Sequence, residues 1–167
     1  MTHPSLGLPP PDASVGHPAA ATRLRSERAR LGRVAFDAAL LADPTLSERY
    51  DERMLRILLR DYERHIEQLA RALETGQERF VTQYGEWLVP VYRHRSIPMR
   101  DFVTLLEGLA SASVSVLPTE DDRHVRELID RWTARLRHHQ RLAGDHKGNP
   151  IVRFFFKGAG IGDDSVV

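Results

Sequence analysis

The chain has 167 residues and a mass of 19.0 kDa, enough for one domain with a substantial core. Its 24 basic side chains nearly balance 23 acidic ones, for a net charge of +1; this sets aside a dedicated nucleic-acid binder, which concentrates basic charge on one surface. The lack of cysteine excludes disulfides, thiolate metal sites and thioether-linked cofactors. No basic-then-apolar leader and no run of about eighteen apolar residues appears, so a soluble cytoplasmic domain without a membrane role is expected.

Residues 1–19 hold five prolines and little apolar periodicity, the composition of a disordered or loosely attached arm. Residues 20–145 then read as one helical domain. Over 20–43, Leu24, Leu31, Ala35, Ala38 and Leu41 repeat at helical spacing. Arg23, Arg25, Arg28, Arg30 and Arg33 scatter around the rest of that helix, as on a solvated face. Asp43-Pro44 restarts the chain with an N-cap residue and a first-turn proline. The helix that follows is predicted to reach Thr75-Gly76, with a break near Tyr50-Asp51, and to carry a stripe of Leu55, Leu59, Tyr62, Ile66, Leu69 and Leu73. A third helix, about 77–95, places Phe80, Val81, Tyr84, Trp87, Leu88 and Val91 on one face, with Pro90 kinking or dividing it. Ser96-Ile97-Pro98 opens a fourth, containing Phe102, Val103, Leu106 and Leu109 and closed by Pro118. Thr119-x-x-Asp122 is a capping-box variant for the fifth, whose stripe is Val125, Leu128, Ile129, Trp132 and Leu136, with Gly144 as its stop. The expected core gathers Tyr84, Trp87, Phe102, Leu106 and Trp132.

Most patterns that carry chemistry are missing. Gly158-Ala159-Gly160-Ile161-Gly162 follows no strand and opens no helix, so it is not a phosphate loop. Asp145 and His146 are adjacent, without the spacer of a cobalamin-ligand motif. A di-iron bundle repeats Glu-x-x-His on two helices; Asp121-x-x-His124 is the single near match, in a first turn where capping accounts for the acid. No catalytic set and no metal site is expected. One constellation stands out. On the second helix Met54, Leu58, Asp61 and His65 follow an i, i+4, i+7, i+11 pattern, a second stripe beside the main one. Asp61 and His65, one turn apart, are predicted to be at least partly buried and within hydrogen-bonding reach. The pair reads either as a polar seam between helices or as the wall of a ligand cavity.

The run "RDYERHIEQLARALETGQERFVTQYGEWLVPVYRHRSIP" is similar to the central segment of phycobiliproteins and of their non-photosynthetic, globin-related sensor relatives, over roughly residues 50–110. The shared positions are Arg60-Asp61, His65, Leu69, Ala72-Leu73, a glycine turn, Tyr84 and Ile97-Pro98. The resemblance implies an all-α, globin-like or phycobiliprotein-like bundle of about five helices with a sensory role. In it Asp61 matches the aspartate that contacts the pyrrole nitrogens and Arg60 an arginine near the propionates. Leu58 stands where those proteins attach their bilin through cysteine, so covalent attachment is excluded. On the helical wheel Arg60 points away from the Asp61 stripe.

The tail, 146–167, contains Phe154, Phe155 and Phe156, then Ile161 beyond two glycines. Large rings seldom remain together in water, so one or two of the phenylalanines are expected to pack on the helices. The remaining ring, with Ile161, would then meet a partner or a second copy. The leading expectation is therefore a non-catalytic helical domain with a sensory, regulatory or protein-interaction role and no cofactor. The alternative is non-covalent binding of a tetrapyrrole (haem, bilin or cobalamin-type) through Asp61, His65, Leu58 and Met54.

Overall fold

The computed structural model describes residues 16–143; the arm before them, and the tail with Phe154, Phe155, Phe156 and Ile161, lie outside the described residues. Six helices follow in order: α1 (Pro18–Ala42), α2 (Leu46–Arg49), α3 (Glu52–Thr75), α4 (Arg79–His94), α5 (Met99–Val116) and α6 (Thr119–Ala143). The described chain is all-α. The sixth helix arises because the predicted second one breaks at Tyr50-Asp51, leaving α2 as a single turn.

Local chemistry sets these boundaries. Pro18 occupies the first turn of α1, where its missing N–H costs nothing. Asp51 caps α3 by accepting from the Met54 amide at 2.7 Å. Gly76 ends α3 with φ of 65°, a left-handed conformation that a Cβ disfavours. Pro90 lies on the exposed side of α4, and the helix runs through it undivided. Ser96, in the turn to α5, adopts φ of 59° without being glycine, a strained conformation for a residue with a side chain. Asp122 does not complete the predicted capping box. Its carboxylate accepts instead from the Ser113 hydroxyl of α5 and pairs with Arg126 one turn on.

Helix α1 packs chiefly against α5 and α3, α5 against α6, and α3 against α4. The His17 amide donates to Leu73 O at the end of α3, while Tyr62 farther up α3 sits opposite Gly32 and Ala35. These contacts make α1 and α3 antiparallel. Where α1 crosses α5, a Cβ on Gly108 would lie 2.5 Å from Ala35 O and 2.9 Å from the Ala39 Cβ, so the two backbones meet closely. Tyr62 crosses the core and donates to Leu105 O at 2.7 Å. Beyond the core, Asp101 at the start of α5 is buried and holds the α2 segment through Arg49, at 3.0 Å, and Tyr50.

The apolar stripes reach the core with two corrections. Leu24, Leu31, Phe102, Leu106 and Trp132 are buried, but Leu41 is 84% exposed and Ala39, not Ala38, carries the end of the α1 seam. Trp87 is 58% exposed and outside the cluster expected to contain it. The reason is angular: α4 turns Val81, Gly85, Leu88 and Tyr92 inward, and Trp87 falls on the rim of that face.

Candidate functional site

The stripe on α3 resolves into a buried polar centre. Leu58, Asp61 and His65 are all buried, and Met54, half-buried, packs at the edge of the core. Asp61 and His65 do not pair directly. Tyr92 of α4 stands between them, its hydroxyl 3.2 Å from Asp61 Oδ2 and 3.2 Å from His65 Nε2. On the other side of the ring, Tyr84 OH lies 3.0 Å from His65 Nδ1.

One arrangement of protons satisfies all four groups. A carboxylate only accepts, so the single Tyr92 O–H donates to Asp61. His65 Nε2–H must then donate to the Tyr92 oxygen, which leaves Nδ1 to accept from Tyr84. The result is a chain of aligned donors ending on Asp61, in a setting where such bonds reinforce one another. The charges follow. Burial drives the His65 pKa down to about 3, with the nearby Arg64 charge adding to the effect, so its imidazole is neutral. Burial raises Asp61 above the usual carboxylate range, against the opposing pull of the Tyr92 bond, Arg95 and Arg64. Burial also raises both tyrosines, with Asp61 contributing, so they remain protonated donors.

Aromatic rings close the site. Tyr62, Phe102 and Trp132 surround His65 with centroids 6.1, 5.5 and 5.5 Å away. Trp132 approaches because residue 85 has no side chain: a Cβ there would clash with its Nε1. Asp61 is buried too, but two arginines from the exposed side approach it, Arg64 at 3.6 Å and Arg95 at 3.7 Å. This geometry does not fit axial ligation of a tetrapyrrole by His65. Both ring nitrogens are engaged by tyrosines, and aromatic side chains pack around the imidazole. Among the described residues no group of three or more His, Asp or Glu is placed to hold a metal ion. Asp121, from the Asp121-x-x-His124 motif, instead pairs with Arg23 of α1, while His124 stacks on His17 with centroids 3.7 Å apart.

Sequence spacing identified Asp61 and His65 but missed Tyr92, which lies 31 and 27 positions away. Its two-turn spacing from Tyr84 on one face of α4 was the available signal. The surface carries two further features. Trp87 projects from α4, its ring stacked on Tyr84 at 5.9 Å. Two adjoining depressions of about 340 and 350 Å³ run along α3 toward α1, sharing Arg56 and Arg60.

Comparison with protein-family models, with curated proteins and with solved structures finds no match to this chain.

Proposed function

We propose that this chain is a non-catalytic helical domain, globin-like or phycobiliprotein-like in kind, with a sensory, regulatory or protein-interaction role in the cytoplasm. It works by contact with a protein partner or a second copy of itself. The observation that carries this reading is Trp87. The fold bonds Asp61, His65 and Tyr92 to one another inside the core, yet leaves its second tryptophan 58% exposed on the rim of α4. Tryptophan gives more binding energy per residue than almost any other side chain when an interface covers it. The Tyr84 ring beneath holds it in place, which lowers the entropy lost on binding. The tail contacts expected at Phe154, Phe155, Phe156 and Ile161 belong to the same reading.

The test compares the full chain with Trp87→Ser in two measurements: sedimentation velocity of the purified protein, and retention of proteins from native lysate against an unfolded control. The substitution is expected to leave the melting temperature nearly unchanged while weakening self-association or partner retention. A wild-type chain that stays monomeric and retains nothing beyond the control would refute the reading. So would a Trp87→Ser chain that associates like the wild type.

A further inference from the structure

Along α3, Arg53, Arg56 and Arg60 recur at i, i+3 and i+7 and so project from one side of the helix. Arg33 of α1 faces them across the second depression. Of these four, Arg56 pairs with Glu52, whereas Arg33, Arg53 and Arg60 make no ion pair among the described residues. The depression has a structural cause. At Ala29 and Gly32, α1 offers almost no side chain where it passes α3, and Leu59 supplies an apolar floor. Every basic side chain other than histidine in residues 16–143 is arginine; the lysines, Lys147 and Lys157, lie beyond. Arginine presents a planar fork that matches a carboxylate in two bonds, where lysine offers only a point charge.

We infer that the α1/α3 groove is a docking site for an acidic amphipathic segment of a partner protein. Its carboxylates pair with Arg33, Arg53 and Arg60, and an apolar side chain enters over Ala29 and Gly32. The seven residue steps from Arg53 to Arg60 span about 10 Å, the rise between carboxylates two turns apart on a partner helix. Glu52 and Glu63 line the same depressions. They would repel a continuous phosphate backbone but leave room for carboxylates spaced by turns. A nucleic acid also needs a broader basic surface, and the chain's net charge of +1 supplies little long-range attraction. This surface is separate from Trp87, so it adds a contact of defined chemistry to the interaction role.

The probe is a dye-labelled, helix-stabilised peptide with Glu at i, i+3 and i+7 and a Leu on the same face, titrated with the full chain by fluorescence anisotropy. Saturable binding is expected that weakens as salt rises. Arg53→Glu combined with Arg60→Glu should weaken it about tenfold or more, since two favourable charge pairs become repulsive. Ala29→Trp, which fills the depression without changing charge, should weaken it to a similar degree. All these positions are exposed, and a melting curve checks that each variant folds. The inference is overturned if no saturable binding appears up to about 1 mM, or if a sequence-scrambled peptide of equal charge binds as well. It is also overturned if both variants bind like the wild type, or if an RNA oligonucleotide or anionic vesicles are preferred. A partner that native lysate yields equally to the wild type and both groove variants, yet not to Trp87→Ser, keeps the interaction role and removes the groove.

Discussion

Lowering the pH should destabilise this protein through His65, and the size of the effect follows from its burial. Its pKa falls from an unfolded value of about 6.5 to about 3 in the fold. Between those limits the unfolded chain binds a proton that the folded chain refuses, so stability falls as pH drops. The contribution is fully present above about pH 6.5 and is lost progressively toward pH 3. At pH 5 the unfolded imidazole is almost entirely charged and the folded one almost entirely neutral. The loss relative to pH 7 is therefore about 2 kcal/mol, and it hardly changes if the folded pKa lies anywhere below about 4. For a domain of this size that corresponds to about 6 °C in melting temperature. The assay is urea unfolding of the wild type and of His65→Gln at pH 7 and pH 5. Asp61 is present in both proteins, so its oppositely signed contribution, from a carboxyl that burial raises, cancels to first order. The wild type should lose about 2 kcal/mol more than the variant. Equal losses, or a His65 ring that titrates near pH 6.5 by NMR, would show that the imidazole reaches water and that the closed polar centre is wrong.

Further outcomes follow from the packing. Gly85→Ala forces a methyl into the Trp132 indole and should cost about 1–3 kcal/mol in chemical unfolding, the usual penalty of overpacking; an unchanged midpoint would place Trp132 elsewhere. Trp87→Ala should cost less than about 1 kcal/mol, since an exposed ring buries little area, and iodide should quench Trp87 fluorescence but not that of Trp132. Ser96→Gly should stabilise the fold by up to about 1 kcal/mol by relieving the left-handed turn. Haem added to the full chain should produce no Soret change that His65→Ala abolishes, because both His65 nitrogens are already bonded. Deleting residues 151–167 is expected to lower the melting temperature and self-association or partner binding, and a truncated chain indistinguishable from the full one would make the tail a passenger.

What the sequence made legible was local. Asp51, Gly76, Pro98 and Pro118 each act on one or two peptide units, so their punctuation survives whatever surrounds it. The periodic stripes showed which helices are amphipathic but not how wide each buried face is. Trp87 and Leu41 sit at the margins of their stripes, and there only the position of the neighbouring helix decides exposure. The Asp61–His65 spacing suggested a bond within one turn of helix. Both side chains instead point into the core, where Tyr92 reaches them first, and no local pattern encodes a partner on another helix. The α1 arginines read as solvated. They do lie at the surface, but Arg23 and Arg25 also pair with Asp121 and with Glu67 and Glu74, partners that only the packing of α1 on its neighbours reveals.

That packing also bears on how the chain is made. The ribosome releases α1 first, yet α5, which covers about as much of its seam as α3 does, follows roughly seventy residues later by sequence separation. Until Gly108 can settle on Ala35 and Ala39, a nascent chain carries that end of the α1 seam without the α5 side of its cover. Helix α3 can shield part of this strip earlier, through Tyr62 and the seam at Gly32. An α1–α3 hairpin is thus the natural early species in synthesis, waiting for α5 to close its open side. Slow codons placed just after α3 would prolong that half-built state and the aggregation risk of its bare apolar edge.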